Sequence, residues 1–128
     1  MCINTSEDEN VLTILINTKY SRITVHKNTL NALGNPAFIQ LGYNSVKNRL
    51  ILFGANEPAQ NTIRVVLKHN SFCFIHSKSF MFGLMSVSEV MKTHGTFLLK
   101  GKPDKQMKAA CFSLNNAERV TEHTDRGN

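Results

Sequence analysis

Tryptophan is absent from the chain and tyrosine occurs only twice, which leaves few large aromatic side chains with a polar handle. No run of about 18 apolar residues exists, so the sequence offers no membrane-spanning helix. The three cysteines, Cys2, Cys73 and Cys111, are odd in number and widely spaced. That argues against a disulfide framework and suits a reducing compartment. The first ten residues, MCINTSEDEN, are polar and acidic where a secretory signal would be basic and then apolar, so a cytoplasmic protein is expected and the Asn4-Thr5-Ser6 sequon carries no weight. Also missing are a P-loop, a GxGxxG turn, zinc-finger spacing, a glycine-framed nucleophile and, between Val11 and Ala117, a pair of neighbouring carboxylates. The expectation is a protein that is not an enzyme and uses no cofactor.

Acids are scarce as well, and their placement matters more than their number. Glu7, Asp8 and Glu9 lie at one end, and Glu118, Glu122 and Asp125 at the other. Between Val11 and Ala117 thirteen Lys or Arg face only Glu57, Glu89 and Asp104, a balance of +10 against +6 for the whole chain. A core so basic attracts a phosphate backbone. His69, Cys73 and His76 have metal-ligand chemistry. On a strand, however, residues 69 and 73 would share one face and 76 the other, and no fourth ligand is evident, so no metal site is expected.

The apolar pattern is mainly that of strands. VLTILINTKYSRITVH reads as strands 11–16 and 22–26 around a polar turn. Leu30 and Leu33 then share a helical face, with Asn28 or Thr29 available as a cap and Gly34-Asn35-Pro36 as the stop. AFIQLGYNSVKNRLILFG is a second hairpin, and ANEPAQN a polar linker. Beyond it, TIRVVLK and SFCFIHS are strand-like. A helix follows, with Phe80, Leu84 and Val87 on one face and Gly95 as its terminator; Met81, Met85 and Met91, with Phe80 and Phe82, read as core. The last hairpin turns at Pro103-Asp104, suited to the middle of a type I turn.

The order of elements therefore repeats. Sliding the sequence over itself by 59 residues lays Phe38–Phe53 on Phe97–Phe112, sixteen positions without a gap, with two phenylalanines and one glycine identical. Upstream, a shift of 50 lays Val25-His26 on Ile75-His76 and Leu30 on Phe80. The expected organisation is an acidic flexible tail (1–10), a first unit (11–55), a linker (56–61), a second and divergent unit (62–117) and a flexible tail (118–128).

Arg22-Ile23-Thr24-Val25-His26-Lys27, running without a gap to Ala32-Leu33-Gly34, resembles the swapped-hairpin DNA-binding family of the AbrB and SpoVT type. That family's stretch reads Arg, apolar, any, apolar, Pro, Lys and closes its short helix with Ala-Leu-Gly. Here His26 stands in the proline position, and Leu30 sits one place later than the family's apolar helix residue. The motif covers about thirteen residues, the following hairpin extends the likeness to about thirty, and two units in one chain look like the tandem arrangement of MraZ. The resemblance implies an α+β, β-rich fold of two strand-helix-hairpin (β-α-β-β) repeats that exchange hairpins as a pseudodimer, either monomeric or as a homodimer.

The partner expected first is double-stranded DNA, bound by a transcriptional regulator. With no strand read as carrying an aromatic series, a stacking platform for single strands is expected less, although Tyr20 and Tyr43 lie beside basic positions. The candidate contacts are Lys19, Arg22, Lys27, Lys47 and Arg49 from the first unit, and Lys78, Lys100, Lys102, Lys105 and Lys108 from the second. Arg22 is the base-reading candidate because its planar fork matches a guanine edge, and the lysines are phosphate contacts. The rival expectation is a phage or mobile-element protein that inhibits a host defence complex such as a CRISPR nuclease, its lysines occupying a nucleic-acid channel of that ribonucleoprotein.

Overall fold

The computed structural model describes residues 11–88, 90–92, 94–104 and 106–120. Nine strands, β1 (Leu12–Asn17), β2 (Arg22–His26), β3 (Phe38–Asn44), β4 (Arg49–Ala55), β5 (Thr62–Arg64), β6 (Phe72–His76), β7 (Thr96–Asp104), β8 (Ala109–Ser113) and β9 (Glu118–Val120), are joined by two α-helices, α1 (Lys27–Ala32) and α2 (Lys78–Val87). Every pairing is antiparallel, in the order β5-β3-β4-β8-β7-β1-β2-β6, with β9 added beside β7. The sheet curls into a nearly closed barrel. Its two edges return toward each other, because one cleft of about 380 Å3 is lined both by Gln40, Thr62 and Ile63 and by His76, Ser79 and Phe80. A single bridge between Lys68 and Phe72 pins the far end of that seam.

Strict alternation explains why the wall closes. Leu12, Ile14 and Ile16 of β1, Ile23 and Val25 of β2, and Cys73 and Ile75 of β6 all face inward and are buried, with polar or half-exposed neighbours between them. Phe97 and Phe112 fill the interior, Leu30 and Leu33 of α1 join it, and so do Met81 and Leu84 of α2. Met91 is buried as well, Met85 and Phe80 are half-buried, and Phe82 is exposed.

Helix α1 is too short to persist by itself. Its end is fixed by a Schellman pair, in which the Gly34 N–H donates to the Asn31 carbonyl (3.0 Å) and the Asn35 N–H to that of Leu30 (2.8 Å). Gly34 has φ +85° with open space around its Cα. Gly34→Ala is therefore expected to cost about 1 kcal/mol through backbone strain alone, read as a lower denaturation midpoint with an unchanged slope. The start of the helix differs from expectation. The N-cap position is His26, which makes no capping bond, and the buried Thr29 hydroxyl instead donates to the Thr13 carbonyl (3.4 Å), tying α1 to β1.

Four further expectations are corrected. The second helix ends at Val87, well before Gly95, and its N-cap is Ser77, whose hydroxyl accepts from the Phe80 N–H (3.3 Å). Pro103 and Asp104 lie within β7, paired with Ala110 and Ala109, and the turn comes after them. Beyond Gly101 β7 pairs with β8 alone, so Pro103 lies on an edge segment, where proline is tolerated. Residues 118–120, placed in a flexible tail, form β9 on the edge of β7; residues 1–10 and 121–128 lie outside the described residues. Finally, the pairs Asn44↔Arg49 and Asp104↔Ala109 close the two hairpins, so their closing pairs correspond at an offset of 60 rather than 59. The difference of one residue inverts every side chain. At 59 the half-exposed Phe38 would fall on the buried Phe97; at 60 the buried Ile39 falls on the buried Leu99, and Leu50 and Leu52 on Ala110 and Phe112.

The two expected units are not separate bodies in the sheet. They share one continuous wall, with the exposed segment 56–60 leading into β5.

Candidate nucleic-acid interface

The β3–β4 turn is held by Asn44, whose side-chain oxygen accepts from the N–H groups of Val46 (3.0 Å) and Lys47 (3.1 Å). Asn48, at φ 55°, takes the Tyr43 hydroxyl proton on its side-chain oxygen (2.8 Å) and donates from its amide to Asn115 (2.7 Å), while the Leu114 N–H donates to its carbonyl (3.0 Å). This turn is thereby fastened to the end of β8. The consequence is the position of Arg49, which pairs with Ser113, while on the opposite side of β8 Lys102 pairs with Cys111.

Three cations consequently meet. Arg49, Lys100 and Lys102 are all exposed and line one cleft of about 300 Å3, together with Val11, Gly101, Cys111 and Ser113. Among the described residues no carboxylate lines it. The residue between the two lysines is a glycine for a steric reason: a Cβ on Gly101 would overlap the Cys111 carbonyl oxygen and come within 2.6 Å of a Phe112 ring carbon. Here β7 changes partner, because Gly101 is the last residue paired with β1 and the first paired with β8.

A second group of cations gathers on β2 and β6. The Asn17 side chain accepts from the Tyr20 N–H (3.0 Å) and organises the β1–β2 turn, leaving Lys19 and Tyr20 exposed. Lys19 and Arg22 each lie 5.7 Å from the Tyr20 ring centroid, and the Arg22 guanidinium lies 4.5 Å from that of Phe74. Its Nε is buried without a hydrogen-bond partner, as is His26 Nδ1 on the same strand. Arg22 is thus held by ring faces rather than by hydrogen bonds. Lys68, absent from the expected contacts, joins them at 5.9 Å from Phe74.

The remaining expected contacts are dispersed. Lys27 opens α1, Lys78 opens α2, Lys47 lies in the β3–β4 turn, and Lys108 lies in the β7–β8 turn, at the end of β8 away from Arg49. Lys105 lies outside the described residues. The reading of the aromatics also needs correction: β6 does carry a series, Phe72, Phe74 and His76, on its outward side. The alternation in SFCFIH was its signal in the sequence.

Cys73 faces the interior and His76 faces out, so they lie on opposite sides of the wall, and His69 belongs to a turn rather than to the strand. Burial raises the Cys73 thiol above its ordinary value of 9.0 by disfavouring the thiolate. A raised folded-state value means that this contribution to stability is complete below pH 9.0 and is lost as the pH climbs through the folded-state value. Wild type is therefore expected to lose more of its unfolding free energy above that pH than Cys73→Ala does. In native protein, alkylation should mark the half-exposed Cys111 and spare Cys73 until unfolding.

Among known protein families, curated proteins and solved structures, no match to the chain is found. No helix among the described residues is long and apolar enough to cross a membrane.

Proposed function

We propose that this is a non-enzymatic protein that binds double-stranded DNA as a transcriptional regulator, with the phosphate backbone seated against the outer wall of β4, β8 and β7. The observation that carries the reading is the convergence of Arg49, Lys100 and Lys102 on one cleft that no described carboxylate lines. Three cations on a rigid wall neutralise adjacent phosphates and release their counterions. Lys47, exposed in the pinned turn two residues before Arg49, adds positive charge at that end of β4 without lining the cleft.

The reading includes two strand-helix-hairpin units with exchanged hairpins, similar to the AbrB and SpoVT arrangement. Supporting it, equivalent strands pair with each other, β2 with β6 and β4 with β8. Each hairpin also lies against the opposite half of the chain, β3 on β5 and β7 on β1. An exchange of 1, 2, 3, 4 for 5, 6, 7, 8 leaves the strand order of the ring unchanged, the two-fold relation that a palindromic duplex site would match.

The test is selection from a pool of randomised duplex fragments by the purified protein, followed by sequencing. Enrichment of one motif supports the regulator. No retention of any duplex at low salt would overturn it and leave inhibition of a defence ribonucleoprotein as the reading to pursue.

A further inference from the structure

The duplex reading makes no use of the outward face of β2 and β6. Along β6, Phe72, Phe74 and His76 alternate on this side, opposite His26, Thr24 and Arg22 of β2. The rings follow one another closely: Phe72 and Phe74 have centroids 5.1 Å apart, and Phe74 and His76 6.1 Å. His69 continues the row beyond Phe72 at 6.3 Å. It is presented there by a turn in which His69 and Asn70 both have positive φ and the Ser71 N–H donates to the Lys68 carbonyl (3.0 Å).

Phe72 and Phe74 are half-buried and His69 and His76 exposed. Opposite Phe74 stands Thr24, a short side chain. Cations border the row, with Arg22 and Lys68 against Phe74 and Lys19 beside the 58% exposed Tyr20. None of the side chains that form this face is a carboxylate.

We infer that this face binds unpaired bases of a single-stranded nucleic acid, the rings stacking on bases while Lys19, Arg22 and Lys68 hold phosphates. Both halves of the ligand have a counterpart here. Ring faces at successive spacings accept any base, and flanking positive charge follows the backbone. A duplex cannot use the rings, because its bases are stacked on each other. An acidic peptide would engage the cations and leave the rings unused.

The experiment is fluorescence anisotropy with labelled oligo(dT) and oligo(rU) of about ten nucleotides, within the site size usual for such platforms, beside a labelled duplex. The variants are Phe74→Leu, which keeps an apolar side chain and removes the ring, and Phe74→Tyr, which keeps the ring. Wild type should bind at least one of the two single strands, the pair of oligonucleotides distinguishing DNA from RNA. Phe74→Leu should weaken this on the order of tenfold and Phe74→Tyr by much less, with duplex binding unchanged. Because the chain has no tryptophan and only Tyr20 and Tyr43 emit, quenching of tyrosine emission by oligo(dT) that is lost in Tyr20→Phe gives an independent reading of Tyr20. Binding of duplex but of neither single strand overturns this inference and leaves the regulator standing. Equal loss of single-strand and duplex binding in Phe74→Leu also overturns it, by making the face part of the duplex site. Binding of single strands alone overturns the regulator and keeps the inference.

Discussion

Gly101→Ala is expected to destabilise the protein on the order of 3 kcal/mol or more, a large share of the 5–15 kcal/mol typical of a domain. The added methyl would overlap a backbone carbonyl, that of Cys111, and no rotamer relieves such an overlap. Relief requires β7 and β8 to separate at the residue where β7 passes from pairing with β1 to pairing with β8. A drop of roughly 10 °C or more in the thermal midpoint is the expected reading. Gly83→Ala supplies the control of opposite sign. It lies inside α2 with no atom within 4 Å of the new methyl, so better helix propensity should stabilise by about 0.5–1 kcal/mol. Equal behaviour of the two variants would refute the steric account of Gly101. Because the cleft is built around Gly101, a folded Gly101→Ala should also bind duplex DNA less well.

The triple variant Arg49→Ala/Lys100→Ala/Lys102→Ala should fold normally and lose duplex affinity on the order of tenfold to hundredfold at low salt. All three side chains are exposed, so their removal leaves the interior intact. The sharper reading is the dependence on salt. If each side chain neutralises one phosphate, the slope of log affinity against log salt should flatten by roughly three units. Lys108→Ala, at the other end of β8, removes a single charge and should flatten it by at most about one. A triple variant with wild-type slope would remove the cleft from the interface.

The charged cleft was only half legible in the sequence. A basic chain with acids confined to its ends is visible by inspection, and so are Lys100 and Lys102, two residues apart and thus on one face of a strand. That Arg49 joins them depends on β4 pairing with β8, in which Arg49 and Ser113 stand half the chain apart. The aromatic row was legible in full yet was passed over, since its alternation matches that of any half-buried strand. Only the register of β2 on β6 brings Arg22 against Phe74. The misplaced turn at Pro103-Asp104 has a similar origin. Local turn chemistry favours that dipeptide, but pairing with Ala110 and Ala109 outweighs it and extends the strand.

By itself the sequence determined the local elements. Alternation set which side of each strand is apolar, and Gly34 after Ala32-Leu33 ended α1, because both depend on neighbours within a few residues. The tertiary structure alone decided which strands adjoin, where β7 changes partner, which lysines share a cleft and which ring each cation covers. The physical reason is that a strand's pattern states which side must be buried without naming the strand beside it. That choice is made by closing one wall around Phe97, Phe112 and the aliphatic side chains packed with them.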